Sequence, residues 1–96
     1  MLGAMIGDIV GSVYEWRNIK TTEFVLLKNN CEFTDDTVLT AATAKALMTD
    51  GDYTKAYQDF ARRYANRVYG GNFSQWIWTE DPQPYNSWGN GSAMRV

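Results

Sequence analysis

Three groups of residues carry the chemistry this sequence can offer. Thr34, Asp35 and Asp36 stand in a row in FTDDT, directly ahead of an apolar pattern of helical period. Asp8, Ser12 and Glu15 lie at i, i+4 and i+7 of GDIVGSVYE, the spacing of one helix face. Gly89, Asn90, Gly91, Ser92, Met94 and Arg95 belong to the glycine-flanked turn WGNGSAMR. Adjacent carboxylates repel. A helix start accounts for them in part, with Thr34 as cap and each acid in the first turn worth about 0.3–1 kcal/mol against the helix dipole. A hard-cation site accounts for them in another way. Two carboxylates and a hydroxyl are oxygen ligands of the kind Mg²⁺ takes, and a bound ion removes the repulsion. There is no D-x-D-x-D-G loop with a later glutamate, so the site is not an EF-hand. The turn at Gly89 and Gly91 lets backbone approach a ligand, and free N–H groups at a following helix start attract phosphate. Taken alone, each pattern reads more simply as a plain cap, a solvated helix end or a simple loop.

The elements that must position these residues read as all-α. Leu2, Met5, Ile6, Ile9, Val10 and Val13 follow an amphipathic helical rhythm. Gly3, Gly7 and Gly11 share a stripe of that helix, which predicts close approach of another helix or a ligand, since each glycine costs about 1 kcal/mol there. Residues 19–33 have no helical period; FVLL reads as a short extended segment and KNN as a turn. A second helix is predicted from Asp35 to Thr49, stopped by Gly51. A third runs from about Thr54 to Tyr69, with Tyr53, Ala56, Tyr57, Phe60, Ala61, Tyr64, Ala65 and Val68 on the apolar pattern and Lys55, Asp59, Arg62, Arg63 and Arg67 facing away. Gly70-Gly71 end it. NFSQWIW reads as a short helix, TEDPQPYNSWGNG as loop with Glu80-Asp81 solvated, and SAMRV as the opening of one more helix. Trp76, Trp78, Tyr85 and Trp88 are assigned to core or interface.

Composition narrows the classes. Ninety-six residues, 45% apolar and 15% aromatic, suit one globular domain or a piece of one. A net charge of −2 with interspersed signs offers no footprint for nucleic acid. Cys31 is the sole cysteine, which excludes an internal disulfide and fits a reducing compartment. The apolar start lacks a basic leader and is interrupted by Asp8, and no run approaches the roughly 20 apolar residues of a membrane span. The expectation is a cytoplasmic protein without membrane or nucleic-acid partners.

As a set, GAMIGDIVGSVYE, FTDDTVLT and PYNSWGNGSAMRV resemble the opening half of the ADP-ribosylglycohydrolase family, which includes the dinitrogenase reductase-activating glycohydrolases. The resemblance covers Gly3 to Val96 and implies an all-α fold, with residues 1–96 as the N-terminal portion of a single domain. It implies hydrolysis of the bond between ADP-ribose and an acceptor, in a protein or a small molecule, with two magnesium ions, for which Mn²⁺ is a substitute. Thr34, Asp35 and Asp36 would be metal ligands, and Glu15 and Asp36 would serve catalysis. Gly89, Asn90, Gly91, Ser92, Met94 and Arg95 would wrap the phosphates and ribose of the substrate.

The same resemblance sets a limit. Asp35, Asp36 and Glu15 supply three negative charges against the four positive charges of two Mg²⁺ ions, and each ion wants six oxygens. The family's late D-x-D-T segment has no counterpart here; Glu80 and Asp81 do not match it. The expectation is a front part of a longer protein, with little hydrolase activity alone. The competing expectation is a non-catalytic helical module that binds an ADP-ribose-like nucleotide, or that self-associates or pairs with a partner through apolar surface left bare.

Overall fold

The computed structural model describes residues 1–95; Val96, the last residue of the SAMRV segment, lies outside them. The described residues are helical, with no strand among them. The helices are α1 (Leu2–Gly11), α2 (Asp35–Met48), α3 (Tyr53–Arg63), α4 (Gly71–Trp76) and α5 (Gly91–Met94). None is long and apolar enough to cross a membrane.

Helix α2 is the centre. Ala41, Ala42, Ala44 and Ala46 give it high propensity, and Val38, Leu39, Ala42 and Ala46 are buried along it. Thr34 caps its start, accepting the Asp36 N–H at 3.2 Å. Gly51 closes its end in the left-handed conformation, φ +73°, and donates its N–H to the Ala46 carbonyl at 2.9 Å. Small alanine side chains let α3 and α1 pack closely on α2, while α5 touches it more lightly. Helix α3 starts on Asp52, whose carboxylate accepts the Lys55 N–H at 3.0 Å. Its Gln58 and Arg62 reach across to α4. Gln58 donates to the carbonyls of Trp76 and Thr79, and Arg62 to that of Ile77 at 2.8 Å, satisfying carbonyls that the end of α4 leaves open. Ile77, 2% exposed, pins this corner into the core.

Four expectations from the sequence are corrected. Helix α3 ends at Arg63 rather than Tyr69. The Tyr64 carbonyl accepts the Arg67 N–H and the Tyr69 hydroxyl instead of continuing the helix. Arg67 does not face away: it lies over the Phe33 ring at 3.8 Å and donates to the Phe33 carbonyl and Glu32, while Val68 is 73% exposed. The FVLL segment is irregular chain and not extended strand. No other helix of the described residues approaches the glycine stripe of α1, since a Cβ at Gly3, Gly7 or Gly11 would meet nothing within 4 Å there.

Candidate functional site

Helix α1 stops at Gly11 and tightens into a single 3₁₀ turn, Ser12–Tyr14. This break separates the three polar residues that a continuous helix would align. Asp8 and Ser12 turn onto the segment entering α2: Ser12 Oγ accepts the Glu32 N–H at 3.1 Å, and Asp8 accepts from Thr34 and Thr37. Glu15 is released beyond the turn and is exposed at the wall shared by two cavities.

The larger cavity is an open groove of about 720 Å³, within the range of small-molecule sites. Glu15, Asp35 and Asp36 line it, as do Gly89, Asn90, Gly91, Ser92, Met94 and Arg95. The fold thus brings together residues from the start, the first third and the end of the chain. Thr34 does not line this groove. Its hydroxyl is directed at Asp8 at 2.5 Å, and the residue borders the smaller cavity, about 220 Å³, with Arg67 and Glu32.

Both aspartates are half-buried at the first turn of α2. Burial raises the pKa of Asp35 above the usual carboxylate value, and the charges of Glu15 and Asp8 raise it further, against backbone and Thr34 hydrogen bonds that lower it. Burial likewise raises Asp36, joined by the charges of Asp35 and Asp8, with Arg95 opposing. Arg95 reaches Asp36 at 3.9 Å and lies 5.7 Å from the Tyr57 ring centre. It crosses over Gly91, where a Cβ would run into the guanidinium. The Arg95 Nε is buried without a hydrogen-bond partner among the described residues.

The remaining wall is aromatic. Phe73 and Trp76 stack with centroids 5.5 Å apart, and Tyr69, Tyr85 and Trp88 join them. Burial, and then the Asp35 charge, push the Tyr69 hydroxyl up to about 12. Trp88 is 102% exposed and Trp78 stands outside the groove beneath Arg62. Of the four aromatics assigned to core or interface, Trp76 is half-buried and Trp78, Tyr85 and Trp88 are exposed; the core residue of this segment is Ile77. Gly70 and Gly71, read as a helix stop, also line the groove at the start of α4.

One continuous groove thus joins the T-D-D helix start to the G-N-G-x-x-M-R turn. The sequence model of the ADP-ribosylglycohydrolase family matches residues 1–96. This chain belongs to the ADP-ribosylglycohydrolase family. Its function is accordingly ADP-ribosylglycohydrolase-like, that of a hydrolase, on an all-α fold. Searches of curated proteins and of solved structures returned no match.

Proposed function

We propose that the groove holds an ADP-ribosyl group, with its phosphates and ribose against the Gly89–Arg95 turn and its glycosidic bond beside Asp35, Asp36 and Glu15. The supporting observation is that one cavity is lined by acids, by a glycine turn with a guanidinium, and by aromatic rings. Gly89 and Gly91 admit backbone close to a phosphate, and Arg95 contributes charge. The aromatic wall presents faces on which a base can stack. In hydrolysis, water oxygen bonds to the anomeric carbon, the bond to the acceptor breaks, and the acceptor leaves with a proton. Asp36 and Glu15 would take the proton from water.

The donors suit magnesium in kind. All are oxygens, and Asp35 and Asp36 are desolvated, mutually repelling carboxylates with Arg95 as a distant countercharge. Thr34, Asp35 and Asp36 would hold the ion. When bound, it would make water more acidic and orient the ribose hydroxyls. In number the donors fall short: among the described residues no three His, Cys, Asp or Glu side chains converge as an ion's ligands. Water or further donors must complete the shell, so this chain alone is expected to turn over little.

Calorimetric titration with ADP-ribose, with and without Mg²⁺, tests the reading. Binding that the Asp35→Asn/Asp36→Asn variant loses in the presence of Mg²⁺ supports it. No binding under either condition refutes it. The aromatic wall also favours a second reading, a nucleotide-binding module without catalysis. Binding that ignores both the ion and the aspartate substitutions would support that alternative. Robust magnesium-dependent release of ADP-ribose by the purified chain would overturn the expectation of low turnover.

A further inference from the structure

We infer that Asp8 is a positioning residue for the Thr34–Thr37 turn, holding Thr34, Asp35 and Asp36 in the arrangement that a divalent cation meets. The inference rests on the metal reading above. It starts from an unusual concentration of hydrogen bonds on one carboxylate. Asp8 Oδ2 accepts the Thr34 N–H at 2.8 Å, the Thr37 N–H at 3.2 Å and the Thr37 hydroxyl at 2.6 Å. Asp8 Oδ1 accepts the Thr34 hydroxyl at 2.5 Å. The carboxylate therefore takes both the amide and the hydroxyl of two residues, one on each side of the aspartate pair.

Helix capping accounts for only part of this. Thr34 takes the Asp36 N–H and Asp8 the Thr37 N–H, two of the open donors of the first turn, while the bonds to the two hydroxyls satisfy no backbone group. The negative charge of Asp8 also opposes those of Asp35 and Asp36. A third carboxylate at an already acidic helix start adds repulsion, whereas a neutral side chain would cap without it. A carboxylate can do what Asn or Ser cannot: it accepts at two oxygens and donates nothing, so it can hold two hydroxyls and two amides together.

The consequence is geometric. The Thr34 hydroxyl has one hydrogen, given to Asp8, and accepts the Asp36 N–H. Its rotor is thereby fixed and one lone pair remains uncommitted. Thr37 is fixed at the other end of the turn, so the backbone of Asp35 and Asp36 is held from both sides. Ser12 extends the clamp from the same helix by accepting the Glu32 N–H. Outer partners of this kind orient ligands, and losing them commonly weakens metal affinity by about 10–100-fold.

The test is a Mn²⁺ titration followed by EPR on the full chain, with thermal midpoints measured in parallel. Asp8→Glu keeps the charge and displaces the oxygens by a methylene. Ala46→Gly weakens the buried far end of α2 and leaves the whole Asp8 clamp in place. Asp8→Glu should weaken Mn²⁺ binding at least about 10-fold, while Ala46→Gly should stay within about twofold despite a lower midpoint. Wild-type affinity in Asp8→Glu, or affinities that fall in step with the midpoints of both variants, would overturn the inference alone. A wild-type chain that binds no more Mn²⁺ than Asp35→Asn/Asp36→Asn overturns the metal reading and this inference together.

Discussion

Arg95 sets its guanidinium 3.9 Å from the Asp36 carboxylate, joining the last turn of the described chain to the first turn of α2. The arrangement depends on Gly91, because the guanidinium occupies the space a Cβ would need. Gly91→Ala should therefore move the flexible end of Arg95 off Asp36 at little cost in stability, within about 0.5 kcal/mol for a site away from the core. ADP-ribose affinity should fall about tenfold, or about 1.4 kcal/mol, measured by calorimetry. Unchanged affinity would remove Arg95 from ligand binding.

The acid pair predicts a pH dependence of stability in the absence of divalent cations. The pKa of Asp35 is raised in the folded state, so the folded chain holds that proton more tightly than the unfolded one. Its favourable contribution is complete below the ordinary value of 3.8 and is lost as pH rises through the higher folded value. Asp35→Asn should accordingly be more stable than wild type at pH 7, by less than about 1 kcal/mol because solvent screens a half-exposed site. The gain should close as pH falls below the ordinary carboxylate range. A variant less stable than wild type at pH 7 would show that helix-dipole and hydrogen-bond terms outweigh desolvation.

The exposed tryptophans separate groove from surface. Trp88 lines the groove and buries nothing, so Trp88→Ala should leave the thermal midpoint nearly unchanged. If it stacks on a base, ADP-ribose binding should weaken by about 1–3 kcal/mol. Trp78 lies outside the groove, and Trp78→Ala should leave affinity as it is. Equal effects of the two substitutions in a fluorescence titration would count against stacking at Trp88.

Ile77 carries the corner where α3 meets α4. Removing its side chain from a site 2% exposed should cost about 2–5 kcal/mol. The carbonyls that Gln58 and Arg62 cap are at stake in the same place, so the groove wall formed by Phe73 and Trp76 should loosen with it. Chemical denaturation of Ile77→Ala, with near-ultraviolet circular dichroism to report on the aromatic wall, checks both. A loss below about 1 kcal/mol would mean that the cavity collapses without cost.

The sequence by itself determined the features that neighbours along the chain decide. Helix α2 begins at Asp35 because Thr34 can cap it and alanines propagate it; the short helix α4 and the start of α5 after its glycine turn were legible locally although neither has a side-chain cap. The turn at Gly51 was legible because a left-handed backbone suits glycine. Candidate acids and the glycine turn could be named from type and spacing. Tertiary structure decided the rest. Helix α3 stops at Arg63 because Arg67 gains the Phe33 ring and carbonyl, partners that periodicity within the helix cannot reveal. The aromatic loop forms a wall instead of a core because Ile77 alone takes the buried position. Asp8 leaves the side of Glu15 and grips Thr34 and Thr37 because α1 breaks at Gly11 and packs on α2. Spacing along one helix cannot show a bond between residues 26 positions apart; only the folded packing of α1 against α2 brings that donor and acceptor together.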